Sequence, residues 1–198
     1  MDKDLYQLIL ASQSPRRKEL LSALNISFQV KPANINEDID IKEPSELVEE
    51  LALRKAQAIS KHELGNYLVM GSDTVVHFEG NVLGKPQSRD EAHSFMEQLS
   101  HNTHEVYSGV AIVGEKVEIK FFTLTRVTFN KLTQKDIELY LDQNEYADKA
   151  GGYGIQGAAS VFVNSIEGSY SSVVGLPQAQ IIQKFYELFG LEWRSYFA

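Results

Sequence analysis

Ser12, Ser14, Pro15, Arg16 and Arg17 stand together in ASQSPRRKELL, residues 11–21. A serine followed by a proline starts a helix well: Ser14 can accept from an orphan amide of the first turn, and Pro15 arrives with its φ already set. Two arginines in that first turn run against the helix dipole, whose positive end disfavours cations. Free amides, a hydroxyl and two guanidinium groups together make a cradle for phosphate. The competing reading is that the arginines pair with surface acids such as Glu19.

Three further stretches fit an anionic substrate. Ser72-Asp73-Thr74 follows the apolar run YLVMG, read as the end of a strand. Ligand sites of open α/β sheets gather at the carboxyl ends of strands. A carboxylate there can act as general base for water or bind a divalent metal, or it can simply be a turn residue or cap. Lys55 in LALRKA and Lys85 in GKP can neutralise phosphate oxygens, or each can be a solvated surface lysine. In ADKAGGYGIQG, residues 147–157, the glycines can let backbone approach a ligand closely and the carboxamide of Gln156 can read the edge of a base, or the glycines can simply form a structural kink. Glu37, Asp38 and Asp40 lie on the loop before a long helix, and one of them can share a magnesium ion with Asp73.

Several chemistries drop out. The chain has no cysteine, which removes disulfides, thiol catalysis and Cys-based zinc sites. GYGIQG matches G-x-G-x-x-G, but it follows a helix and precedes an extended-looking AASVFVNS, the wrong context for dinucleotide binding. There is no G-x-x-x-x-G-K-[ST]. Gly71 and Val75 flank the triplet around Asp73, with no second aspartate two residues away for aspartyl-phosphate chemistry. The five histidines, His62, His77, His93, His101 and His104, form no H-x-x-x-H pair and read as surface or hydrogen-bonding residues. The formal net charge of −8 opposes binding to a nucleic-acid polymer. MDKDLYQLILAS does not read as a signal peptide, and no run reaches the roughly 18–20 apolar residues of a membrane span. A cytoplasmic protein is expected.

The elements that must hold these residues alternate at first and then include a long hairpin. LYQLILAS and SFQVKPA read as strands around the helix PRRKELLSALN. NINEDIDIKEPS is a loop, and SELVEELALRKAQAISKH is a helix with Leu47, Leu51, Ala52, Arg54 and Ala58 at helical spacing. An apolar strand, a short hairpin around Glu79-Gly80-Asn81 and a helix capped by Ser88 follow. Next come a hairpin turning at Gly114-Glu115-Lys116, a helix capped by Thr133, and a last helix opened by Pro177 and closed by Gly190. This order predicts an α/β fold with a mixed sheet. Composition marks no domain boundary.

The stretches LILASQSPRRKELL, LALRKAQAI, VMGSDTVV, VLGKP, LSHNTHEVYSGVAI, DKAGGYGIQGAASVFV and GSYSSVVGLP resemble, in order, those of the Maf family of nucleoside triphosphate pyrophosphatases, from residue 8 to 177. The resemblance implies a mixed, elongated central sheet flanked by helices, with an inosine-triphosphatase-like architecture. It implies one domain over residues 1–198, in one or two lobes around an active-site cleft. It also implies hydrolysis of a nucleoside triphosphate to the monophosphate and pyrophosphate, with Mg²⁺ or Mn²⁺, by a cytoplasmic homodimer. By the same resemblance Asp73 is the proton acceptor, and Arg16, Thr74 and Gln156 help to set substrate choice. Thr74 and the GYGIQG loop point to the dTTP/UTP-preferring branch and to removal of unwanted pyrimidine nucleotides.

Ser12, Arg17, Lys55 and Lys85 are then expected on the triphosphate, and Asp73 with Glu37 on the metal. Two alternatives stay open: a nucleotide-sensing regulator of cell division without turnover, and a purine-selective inosine triphosphatase. The chain departs from the family pattern at Asn36-Glu37, where an Asp-Glu pair is usual, at His101, where glycine is usual, and at Ser108, where threonine is usual.

Overall fold

The computed structural model describes residues 5–197; residues 1–4, the start of the N-terminal segment read above, lie outside them. The elements run β1 (Gln7–Leu10), α1 (Pro15–Ser22), β2 (Gln29–Val30), α2 (Pro44–Ser60), β3 (Tyr67–Phe78), β4 (Asn81–Leu83), α3 (Arg89–Leu99), β5 (Thr103–Val113), β6 (Glu118–Phe129), α4 (Gln134–Leu141), β7 (Val163–Glu167), α5 (Tyr170–Val174) and α6 (Gln178–Phe189). The strands form one seven-stranded sheet in the order β2-β1-β3-β5-β6-β7, with β4 paired to β3. It is mixed as expected: β1 is parallel to β2 and β3, whereas β4 and β7 pair antiparallel.

The chain divides into two compact units. One holds the chain up to Asp73, Ser108–Thr123 and the chain from Gly175 onward; the other holds Thr74–Tyr107 and Leu124–Val174. In the first unit the alternation of β1 separates two cores. Leu8 and Leu10 face α1 and α6, packing with Leu21, Phe185 and Trp193, while Ile9 and Ala11 face α2 with Ala52 and Ala56. In the second unit α3 buries Phe95 and Met96, and α4 buries Ile137 and Tyr140.

The caps follow the sequence. Ser14 accepts from the Arg17 amide and Ser88 from the Glu91 amide; Thr133 and Asp136 form a reciprocal capping box. Gly190 ends α6 at φ +71°, a conformation that glycine takes without strain.

Four local expectations need correction. First, β3 does not end at Ser72-Asp73-Thr74 but continues to Phe78. What ends there is its parallel neighbour, since Leu10 of β1 pairs with Met70. Asp73 therefore lies beyond the carboxyl end of the parallel ladder, in mid-strand. Second, the buried stripe of α2 runs through Val48, Leu51, Ala52, Lys55 and Ala56, and leaves Leu47 and Ala58 at its margins and Arg54 exposed. Arg54 pairs with Glu50 one turn back. Third, SFQVKPA contributes only the two exposed residues of β2. Fourth, AASVF forms a 3-10 helix before β7 rather than extended chain.

The stripe on α2 is narrow because the helix lies on bare backbone. A Cβ on Gly71 of β3 would stand 2.0 Å from the Ala52 carbonyl oxygen, and one on Gly109 of β5 would stand 2.3 Å from that of Val48. Glycine inside a strand marks this kind of close approach. Gly71→Ala should cost at least about 1–3 kcal/mol through overpacking against main chain that cannot yield. Gly84→Ala, with open space at its Cβ, should leave the urea midpoint nearly unchanged.

Candidate functional site

The approach of α2 to the sheet brings Lys55 to Asp73. Lys55 is 7% exposed and Asp73 8%, and the ammonium donates to Asp73 Oδ1 at 2.5 Å. The same Nζ lies 2.7 Å from Glu37 Oε1, on the loop before α2. A buried charge needs a partner, and here one ammonium meets two carboxylates. Lys55 is thus neither a solvated surface lysine nor isolated among small residues. Asn36, where the family has an acid, accepts from the Asp38 amide at 2.9 Å and shapes the loop that delivers Glu37.

The start of α1 joins this cluster. Ser12 is buried; its hydroxyl accepts from the Ser14 amide at 3.2 Å and lies 3.5 Å from an Arg17 guanidinium nitrogen. Arg17 Nε donates to the Gly175 carbonyl at 3.0 Å, and the Ser72 hydroxyl donates to the same oxygen at 3.0 Å. That carbonyl ties the arginine-bearing helix start to the strand that carries Asp73. Gly175 has φ +125°, which favours glycine. Burial lowers the pKa of Arg17 and the neighbouring Arg16 lowers it further, while Asp73 and Glu37 push it back up. Arginine titrates so far above neutrality that the guanidinium stays charged. Arg17, read from sequence as a phosphate partner, is therefore also tied into the fold.

Two carboxylates, Asp73 and Glu37, flank the same lysine ammonium, which Asp73 meets through Oδ1 and Glu37 through Oε1. Hard divalent cations take carboxylate oxygens and complete their shell with water and phosphate, so the donor set fits such an ion. Among the described residues no group of three His, Asp or Glu side chains gathers for a metal. Any further ligands would have to come from elsewhere.

The remaining candidates belong to the second unit. Thr74 is half-buried on β3. Lys85 is exposed just after β4, in the loop that Gln87 closes by donating to the Lys85 carbonyl at 2.9 Å. Gln156 is exposed between buried Ile155 and half-buried Gly157. The glycines before it meet a backbone requirement of the loop itself, its kinked course and its close packing on β3. Gly151 and Gly152 have φ +66° and +70°, and a Cβ on Gly151 would stand 2.8 Å from Val76.

His104, one of the histidines expected to be surface or hydrogen-bonding residues, is the latter, and its partner Tyr153 has no signal in the sequence. His104 is 1% exposed, and its Nε2 lies 2.7 Å from the Tyr153 hydroxyl. Both rings pack edge-on against Phe129. Burial pushes the imidazole down to about 4 and pushes the Tyr153 phenol above its usual value. His101, where the family has glycine, has φ +60°, so the family's preference is a backbone requirement that this histidine meets under strain.

The chain matches the model for Maf-like protein over residues 7–188. It is 45% identical over 179 residues to the dTTP/UTP pyrophosphatase of Bacillus cereus (strain G9842), covering 90% of this chain and 93% of that protein. It is 44% identical, with the same coverage, to the dTTP/UTP pyrophosphatase of Bacillus anthracis (strain CDC 684 / NRRL 3495). Among solved structures its fold is similar to that of a HAM1 protein from Coxiella burnetii, with a TM-score of 0.50 at 16% identity, over 92% of this chain and all of the other. Among the described residues no helix is long and apolar enough to cross a membrane.

The depressed pKa of His104 has a consequence for stability. The unfolded chain takes up this proton near 6.5 and the native chain only near 4, so stability is full above about 6.5 and falls as the pH drops toward 4. The whole difference is roughly 3 kcal/mol. Chemical denaturation of His104→Phe at a series of pH values should show a correspondingly flatter acid limb.

Proposed function

We propose that this chain, which belongs to the Maf-like protein family, hydrolyses dTTP and UTP to the nucleoside monophosphate and pyrophosphate. The observation that carries the reading is the cluster of buried Asp73 and Lys55 with exposed Glu37, together with a helix start bearing Arg16 and Arg17. The activity borne by relatives of 45% and 44% identity supports it.

Water attacks the α-phosphorus, and the bond from that phosphorus to the oxygen bridging it to the β-phosphate breaks. Asp73 receives the proton of the attacking water. Its Oδ1 is held by Lys55, which fixes the carboxylate and leaves Oδ2 to face the water. Arg16, Arg17, Lys55, Lys85 and the Ser12 hydroxyl carry the negative charge of the triphosphate. Thr74 and Gln156, with Arg16, select the base. A divalent cation, Mg²⁺ or Mn²⁺, would be held by Asp73 and Glu37 and would draw charge from the phosphate oxygens. The reading extends to modified pyrimidine nucleotides, to a role in cleaning the nucleotide pool, and to a cytoplasmic homodimer acting as one domain over residues 1–198.

Asp73→Asn tests the assignment. Lys55 keeps Glu37 as its counter-ion in this variant, so the fold should persist with a small change in Tm. Turnover should fall by about 10²–10⁴, the usual worth of a general base, while KM changes far less. Undiminished kcat would remove Asp73 from the chemistry.

A panel of dTTP, UTP, CTP, ITP and GTP, assayed for pyrophosphate release after chelation and after Mg²⁺ or Mn²⁺ is restored, tests the substrate class. Fastest release from dTTP and UTP, dependent on the added metal, is expected. Preference for ITP would make the enzyme purine-selective, and tight UTP binding without release would make it a sensor.

A further inference from the structure

Gln156 can select a base only if the glycine-rich loop presents it in one place. Gly151 and Gly152, which lack a Cβ and stand at positive φ, give this segment a wider choice of backbone than most. The structure holds it at several points. The Gly151 amide donates to the Gly84 carbonyl at 3.0 Å, and the Tyr140 hydroxyl donates to the Gly152 carbonyl at 3.1 Å. Downstream, the Glu145 carboxylate accepts from the Ala158 amide at 3.1 Å, filling the space that a Cβ on Gly157 would need. Between these ends the only side chain from the loop that enters the core with a polar group is Tyr153, 5% exposed, and its partner is His104.

The identity of that partner is informative. His104 Nδ1 is buried with no hydrogen-bond partner. An apolar ring at this position would avoid that orphan, so packing against Phe129 alone does not call for histidine. What histidine adds is Nε2, aimed at the Tyr153 hydroxyl three residues before Gln156. At neutral pH the imidazole is uncharged, so the contact is a hydrogen bond between neutral groups and not an ion pair.

We propose that His104 and Tyr153 are positioning residues for base selection: their hydrogen bond fastens the loop to β5 so that Gln156 is held exposed in the conformation that reads the pyrimidine. The proposal rests on the reading that Gln156 meets the base.

Three variants test it: Tyr153→Phe, the double variant His104→Phe/Tyr153→Phe, and Gln156→Ala. Each is measured for Tm, for kcat and KM with UTP, dTTP and the purine nucleotide ITP, and for amide exchange over residues 150–158. Tyr153→Phe should speed exchange in the loop and raise KM for both pyrimidine nucleotides by roughly five- to tenfold, about the worth of one hydrogen bond, with kcat within twofold.

The double variant removes both polar partners and should recover most of any lost Tm. Its KM should stay raised and its loop exchange fast. If KM and exchange instead return to the wild-type values along with Tm, the pair is only a structural contact and the proposal fails. Unchanged exchange or unchanged KM in Tyr153→Phe also overturns it. Gln156→Ala should lose pyrimidine preference without altering exchange. If preference survives there, the role given to Gln156 falls, and the undisturbed loop exchange distinguishes that failure from a failure of the His104–Tyr153 bond.

Discussion

The site depends on how closely a helix can lie on a sheet. Helix α2 rests its main chain against β3 and β5 where Gly71 and Gly109 present no side chain, and Ala52 and Ala56 keep the helix side of the contact low. With larger residues there the helix would stand off by at least a side-chain layer. Lys55, one turn beyond Leu51 on the same stripe, would then no longer reach Asp73 within 2.5 Å. The glycines are therefore part of the charge cluster although neither carries a functional group.

Once the lysine is delivered, electrostatics does the rest. An ammonium and a carboxylate taken out of water lose several kcal/mol of hydration each, and their attraction recovers this only when geometry is good and the remaining bonds are made. Here Glu37 adds a second carboxylate, half exposed to water, so the ammonium is over-compensated while Asp73 keeps one oxygen uncommitted to it. Packing replaces solvent on the other side: Ser72 next to Asp73 is fully buried and its hydroxyl is spent on the Gly175 carbonyl. The Asp73 carboxylate is held from two directions, by a charge and by its own strand.

Much of this was legible in the chain. Caps at Ser14, Ser88 and Thr133, the turn at Gly114-Glu115-Lys116 and the stop at Gly190 are local signals, and local chemistry decides them. The candidates Ser12, Arg17, Lys55, Glu37 and Asp73 come together, although the residues alone left Lys55 open as a surface lysine and Glu37 as one acid among three. The expected stripe of α2 shares Leu51 and Ala52 with the observed one but takes Leu47, Arg54 and Ala58 where Val48, Lys55 and Ala56 face the sheet. Which residues face the sheet was decided by size, and Gly71 and Gly109 were the signal for that. His104 was treated as a bland histidine because its partner lies 49 residues away in sequence. No periodicity joins a strand start to a loop at that distance. Gly175 was missed because what it contributes is a carbonyl oxygen, a group that every residue has.

The arginines at the start of α1 also look different once their surroundings are known. On an isolated helix they oppose the dipole, and an anionic ligand is the obvious compensation. The folded chain already supplies part of it: Asp73 and Glu37 act on Arg17 in the direction that favours its charge, and the Gly175 carbonyl accepts its Nε proton. The resting helix start is thus tolerable without a ligand, and its positive potential is held in place instead of being relieved by a side chain swinging into water. A polyanion arriving there meets guanidinium and amide donors already oriented, which is the condition under which electrostatic contacts count most toward binding. This also reconciles a net charge of −8 with the triphosphate substrate proposed for the chain. The excess acid repels polyanions in general, and Arg17 and Lys55, fixed beside Asp73 and Glu37, form a local exception to it.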